Sequence, residues 1–371
     1  MIWHSTLIRV LVAASTVTSI AGVVLPMGIG SAEAAPLPFS DYRLVFNWKS
    51  QRRLASGSDN WPVTWAADGK VYTIWGDGGG FTARHPYVSI GLASLTGNTA
   101  ATIKGTSLIG GHNPRLADCF PLLPNTIAEN RSWAGCKGKS HAKSYGMLAL
   151  GSDLYAWTQP GSCRPEYGNA TLHRNKIGTN QWSSAGWKLT GLFSPTFVQK
   201  GKNHADGSYI HLYAVKIDIR HQSAKCLSVM GTPTGEVVLA RARKGANLLD
   251  QKVWEWWNGS GWGDGRVKAT VFRDPYGIGP KISATYLAGI KRYVLITEVA
   301  GSGDGTMAFY ESPNPNGPWK KMIQTKFPGT TFMATIMPQS LRGDRQLTVG
   351  FTGGQEHDAL NLVDAQIIVR R

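Results

Sequence analysis

Apolar runs recur along the chain in pairs, each pair joined by a tight turn. The first pair lies within residues 59–80, DNWPVTWAADGKVYTIWGDGGG, and turns at Asp68-Gly69. The second runs over 143–150, turns at Gly151-Ser152-Asp153 and returns over 154–157. The third runs over 194–198 and returns over 209–215. The fourth runs over 281–286, turns at Gly289 and returns over 293–297; the fifth runs over 332–336, turns near Gly343-Asp344 and returns over 347–351. The return segments are rich in Tyr and β-branched residues, which favour strands. The runs are nearly continuous rather than alternating, as expected of strands covered on both faces.

Weaker pairs of runs follow the hairpins, for example 170–174 leading to 187–189 and 306–310 leading to 319–322. Four strands per unit, repeated, is the pattern of a β-propeller. The predicted fold is all-β, a five-bladed β-propeller whose blades stack face to face, so that no blade is stable alone. Residues 365–369 are predicted to pair with 42–46 and close the ring. The repeats are irregular in length and 98–142 has little strand signal, so a pair of β-sandwiches is the alternative fold.

In a blade, the residues before the innermost strand and those after the second strand meet at one rim of the central channel. This geometry predicts that Asp59 and Asp77, at the two outer ends of the first hairpin, face one funnel; in a plain hairpin they would be solvated loop residues. The same rule brings Asn60 and Trp61 to the mouth from the first blade, and His141, Lys143, Tyr145 and Gln159 from the second. It brings Ser194, Thr196, Asp218, Arg220 and His221 from the third, Lys281, Ser283 and Glu298 from the fourth, and Thr330, Thr331, Glu356, His357 and Asp358 from the fifth. Trp61, Trp157 and Tyr145 are expected to line the opening.

Composition adds to this picture. The 44 Gly and 14 Trp among 371 residues suit many turns and flat rings that stack on sugars. Arg9 precedes an apolar run over 10–25, and Ala32-Glu33-Ala34 supplies the small residues of a cleavage site. A secretory signal over 1–34 is therefore predicted, with the propeller over 40–371 and a secreted or periplasmic location. Four cysteines, Cys119, Cys136, Cys163 and Cys226, follow the signal. An even count in an exported chain predicts two disulfides with three possible connectivities. Cys119 with Cys136, which share one Gly/Pro/Asn-rich stretch, and Cys163 with Cys226 is the preferred set. No CxxC spacing marks a zinc site.

The net charge of +16 suits an acidic polymer. Basic residues are scattered without a long run, so the expected partner is a polysaccharide, acidic ones included, rather than nucleic acid or a membrane, met by a monomer. No cofactor is expected. The Asp-rich rim would suit a structural calcium ion, but no spacing demands one.

Two chemistries fit such a funnel. Hydrolysis of a glycosidic bond needs two carboxyl groups, one acid and one base or nucleophile; Asp59, Asp77 and Glu298 are the catalytic candidates. A neighbouring Trp would hold one of them protonated. The alternative is β-elimination on a uronate, which needs a group to neutralise the sugar carboxylate and a base for the C5 proton. His141, Lys143, Tyr145 and Arg220 are the right types for that. A third reading is a propeller that binds polysaccharide without catalysis. Binding propellers repeat one pocket in every blade, whereas these five rims differ, which favours a single asymmetric site.

The segments Asp59-Asn60-Trp61-Pro62, Trp75-Gly76-Asp77-Gly78, Lys143-Ser144-Tyr145-Gly146 and Gly317-Pro318-Trp319 resemble a group of secreted bacterial five-bladed propellers whose function is not established. That group is similar to the propeller glycoside hydrolases: arabinanases, fructan hydrolases and endo-D-arabinanases. The resemblance covers most of 40–371 and implies a glycoside hydrolase with an aspartate at the first inner strand, which Asp59 matches. It also implies acids on the next two inner strands, where this chain has Lys143/Tyr145 and Ser194/Thr196. The arabinanase-type trio is therefore not carried over, and a rearranged set with Asp77 and Glu298 takes its place.

Overall fold

The computed structural model describes residues 36–81, 88–109, 142–160, 169–217, 233–275, 277–299, 305–353 and 358–370. Every strand below falls within them. The first blade comprises β2 (Val63–Trp65), β3 (Val71–Gly78), β4 (Val88–Thr96) and β5 (Lys104–Ile109), hydrogen-bonded in that order. The second comprises β6 (Ala142–Leu150), β7 (Asp153–Pro160), β8 (Thr171–Lys176) and β9 (Ser183–Ser184). The third comprises β10 (Leu192–Gln199), β11 (Tyr209–Ile217), β12 (Pro233–Arg243) and β13 (Glu255–Trp257), with β14 (Trp262–Gly263) and β15 (Thr270–Arg273) added at its outer side. The fourth comprises β16 (Ile278–Leu287), β17 (Arg292–Val299), β18 (Thr306–Ser312) and β19 (Lys320–Lys326).

The fifth blade is β20 (Met333–Ile336), β21 (Gln346–Thr352) and β22 (Leu360–Val369), and its outermost strand is the N-terminal β1 (Tyr42–Leu54). The register runs from Tyr42 opposite Val369 through Phe46 opposite Ala365, as the sequence pattern predicts. The two ends of the propeller thus share one sheet. The innermost strands of the third and fourth blades also touch in parallel, Val198 opposite Ala284, which joins their sheets. Among the described residues the only helices are short 3-10 turns, and none is long and apolar enough to cross a membrane.

Five apolar clusters fill the five gaps between blades. Ile74 and Leu92 meet Met147 and Ala156 between the first and second blades, and Trp157 and Leu172 meet Leu212 and Trp254 between the second and third. Val215 and Leu239 meet Ile282 and Tyr310 between the third and fourth. Phe309 and Met322 meet Ile336 and Val349 between the fourth and fifth. Met337, Leu360 and Leu362 meet Trp61 and Trp75 between the fifth and first. This explains the near-continuous apolar strands: all eight residues of β10 are buried because blades lie on both sides.

Trp75 shows how close the packing is. Its ring is fully buried, and a methyl group built on Gly91 would fall 2.1 Å from it, so only glycine lets the neighbouring strand lie this near. A ring of this size buries roughly 200 Å², worth about 5 kcal/mol of gross transfer free energy.

The weaker pair expected over 170–174 and 187–189 takes a slightly different form. β8 pairs with β9 at His173–Ser184, while Ala170 and Leu189 make an isolated bridge. The expected signal over 1–34 and the four cysteines lie outside the described residues.

Candidate active site

Asp59 sits just ahead of β2, the innermost strand of the first blade. Its backbone makes a two-way bridge with Gly76 in β3: Asp59 N–H donates to Gly76 O at 2.8 Å, and Gly76 N–H donates to Asp59 O at 2.6 Å. Both ends of the first hairpin therefore come to one rim. Asp77 follows Gly76 directly along β3; its side chain lies outside the described parts.

The rim is tied down around this bridge. Asn60 adopts the left-handed conformation, φ 49°, which Asn tolerates better than most residues. Gly80 N–H donates to Ser58 Oγ at 2.8 Å. Gly57 N–H donates to the carbonyl of Asp358 at 2.6 Å, which brings the loop after β21 of the fifth blade against the entry to β2.

The Asp59 side chain is buried, 9% exposed, and its Oδ1 has no hydrogen-bond partner among the described residues. A buried carboxylate oxygen without a donor is costly unless a cation lies close by. The cation whose charge reaches Asp59 is Lys281, on the innermost strand of the fourth blade, which makes no ion pair with it. Its ammonium lies 3.7 Å from the centroid of the Phe332 ring, a cation–π contact supplied by the residue just ahead of β20.

Lys281 is the electrostatic centre of the funnel. Burial pushes its pKa down to about 8, the charge of Asp59 acts against that shift, and Lys143 adds to it. Glu298 and Asp358 then act in the same sense as Asp59. Carboxylates from the first, fourth and fifth blades and a lysine from the second thus all act on Lys281. Glu298 is buried near the end of β17, with its backbone opposite Met307. No three His, Cys, Asp or Glu side chains among the described residues come together as a metal shell.

Several residues expected at the mouth have a different job. Gln159 is fully buried: its Nε2 donates to Leu192 O at 3.0 Å and its Oε1 accepts from Ser194 N–H at 2.9 Å. Ser194 Oγ then accepts from Ile282 N–H at 3.3 Å, and Ser283 Oγ donates to Ala334 O at 2.6 Å. These side chains stitch neighbouring innermost strands together, because buried backbone groups at strand ends need partners.

The expected aromatic lining also differs. Trp61 lies against Trp75 with centroids 6.3 Å apart, and Trp157 meets Trp187 edge-on at 5.6 Å; both rings are buried between blades. Tyr145 is the extra residue of a bulge between Ser144 and Gly146, and it packs edge-on against Phe193 at 4.8 Å. Burial of large apolar rings in the blade gaps outweighs their display on the rim. The ring found at the centre is Phe332, which the strand-start rule reaches but which carries no polar group to draw attention. His141, Arg220, Glu356 and His357 lie outside the described residues, as do Asp218 and His221.

Known structures share the overall fold. The GH43_1 enzyme from Xanthomonas citri complexed with xylotriose is 12% identical to this chain. The match covers 85% of this chain and 89% of that one, with a TM-score of 0.50. The xylose complex of the same enzyme matches at 11% identity over 85% and 90%, also at 0.50. A structure described as RS223-Beta-xylosidase matches at 12% identity over 85% and 94%, with a TM-score of 0.49. No protein-family model matches the sequence. No curated protein matches it either. The likeness is one of architecture: this chain has the β-propeller fold found in glycoside hydrolases.

Proposed function

We propose that the protein is a glycoside hydrolase that cleaves a polysaccharide with carboxyl groups of the axial funnel. The observation that carries this reading is the coupling of Asp59, Glu298 and Asp358, from three different blades, around Lys281. Asp59, at the start of the first innermost strand and within reach of the Lys281 charge, takes the role of base or nucleophile. Glu298, buried near the end of β17, takes the role of the acid that protonates the leaving oxygen. Asp77 stands next to Gly76, one residue from the Asp59 bridge, and remains a third candidate. Solved structures of like fold with xylotriose and xylose bound support a glycan as the class of ligand.

A second reading keeps the site but changes the reaction. Lys281, with its pKa pushed down to about 8, and the adjacent Lys143 suit β-elimination on a uronate. In that case one lysine neutralises the sugar carboxylate while a neutral amine takes the C5 proton.

One screen separates the two. Neutral and acidic polysaccharides are incubated with the protein and with Asp59→Asn and Glu298→Gln. New reducing ends without ultraviolet absorbance, lost in both variants, are the expected result. Absorbance from a C4–C5 double bond on an acidic polymer, lost in Lys281→Met, would replace hydrolysis with elimination. Binding of a polymer with neither product would leave a non-catalytic binding propeller.

A further inference from the structure

The ends of β11 and β12 far from the funnel carry a second organised set of side chains. Tyr209 stands opposite Arg243 and His211 opposite Arg241, so all four share one face of the third blade. The Arg241 guanidinium is held between two rings, 4.3 Å from the centroid of Tyr209 and 4.1 Å from that of Trp262. Arg243 lies 5.3 Å from the centroid of the same Tyr209 ring, and Trp257 meets Trp262 edge-on at 5.6 Å. The result is a ladder of arginines and rings, with Arg243 exposed and Arg241 and its rings half-buried.

The ladder is rich in positive charge. Lys200 and Lys244 flank it, and the nearby acids are Glu255, which accepts from Arg241 Nε at 2.8 Å, and Asp206 beside Lys200. His211, almost fully buried behind Arg241, has an Nδ1 with no hydrogen-bond partner among the described residues. Arg243 is exposed and makes no ion pair among the described residues, while Arg241 gives its Nε to Glu255; a guanidinium fork of this kind grips a planar carboxylate with two bonds. Tyr209 carries guanidinium contacts from both arginines and Trp262 from Arg241, so these rings are engaged by cations. β11 has nine residues, which separates the ladder from the funnel end of the same blade by about 26 Å along the strand.

We propose that this arginine–aromatic ladder is a binding surface for a carboxylate-bearing polysaccharide, distinct from the axial funnel. It would hold an acidic polymer whose cleavage, if any, takes place elsewhere. Adjacent ladder positions, two residues apart on one strand, lie about 6.7 Å from each other, so carboxylates recurring along a chain can engage both arginines. The chain's charge of +16 draws such a polymer in.

The test is binding without turnover. Titration calorimetry is run with polygalacturonate, arabinan and a duplex DNA on wild type, Arg243→Glu, Arg241→Gln/Arg243→Gln and Lys281→Met. Arg243 is exposed, so its replacement keeps the fold if the double variant does not. The expected result is polygalacturonate binding that weakens about tenfold or more in both ladder variants, is unchanged in Lys281→Met, and weakens between 50 and 200 mM salt as screened contacts do. Unchanged affinity in Arg243→Glu, loss confined to Lys281→Met, equal binding of arabinan, or tighter binding of DNA through the same arginines would each overturn it. None of these outcomes depends on whether the funnel hydrolyses a glycan, so failure here is distinct from failure of the proposed activity.

Discussion

Gly76→Ala tests the placement of Asp59 without touching its chemistry. A methyl group on Gly76 would fall 2.5 Å from Asp59 Oδ1 and 3.4 Å from Asn60 Nδ2. Ordinary contact begins near 3.4 Å, so the carboxylate must move by about 1 Å. The backbone cannot take up the shift easily, because two hydrogen bonds lock Asp59 to Gly76. The Asp59 side chain must therefore leave its present position. A displacement of about 1 Å at a reacting group costs on the order of 100-fold in rate, equal to about 2.7 kcal/mol in the barrier. Overpacking of this kind costs about 1–3 kcal/mol of stability, which a domain with about 5–15 kcal/mol survives. The assay is kcat/KM on the polymer found by the screen, read beside the unfolding midpoint. Gly186→Ala, where an added methyl meets nothing within 4 Å, is the matched control. Full activity in a folded Gly76→Ala protein would refute the assignment of Asp59 to the reacting centre.

Three further outcomes are expected. His173 and His204 are buried and neutral, with pKa values pushed by desolvation down to about 3 and about 4. Their unfolded forms bind protons first as pH falls below about 6.5. Stability should therefore drop between about pH 6.5 and 4, by about 3 kcal/mol for His204 alone, and denaturant midpoints measured across that range check it. If the Lys281 ammonium is needed for turnover, activity should fall as pH rises through about 8, and Lys281→Arg should move that limb to higher pH in a pH–rate profile. Gly91→Ala should lower the unfolding temperature by several degrees or abolish folding, since its methyl would meet the Trp75 ring at 2.1 Å.

The blades were legible because burial on both faces leaves a strong mark in sequence. Apolar runs such as 209–215 and 293–297 are what strands covered on both faces leave, and the pairing of 42–46 with 365–369 followed from the need to complete the last sheet. The meeting of Asp59 with the Gly76–Asp77 corner was legible for the same reason: strand direction fixes which ends share a rim. What the pattern did not carry was the direction of individual side chains at that rim. Gln159 and Ser194 have the look of substrate contacts but satisfy buried backbone groups, and Tyr145 turns into the core at a bulge. A one-residue bulge reverses which face a side chain takes, and nothing in a single sequence announces it. Lys281 and Phe332 show the converse. The strand-start rule places Lys281 at the mouth, but the contact of its ammonium with the Phe332 ring arises only when blades four and five meet. A site assembled from four blades is therefore predictable in position, from topology, before it is predictable in chemistry, which depends on side-chain packing across the blade gaps.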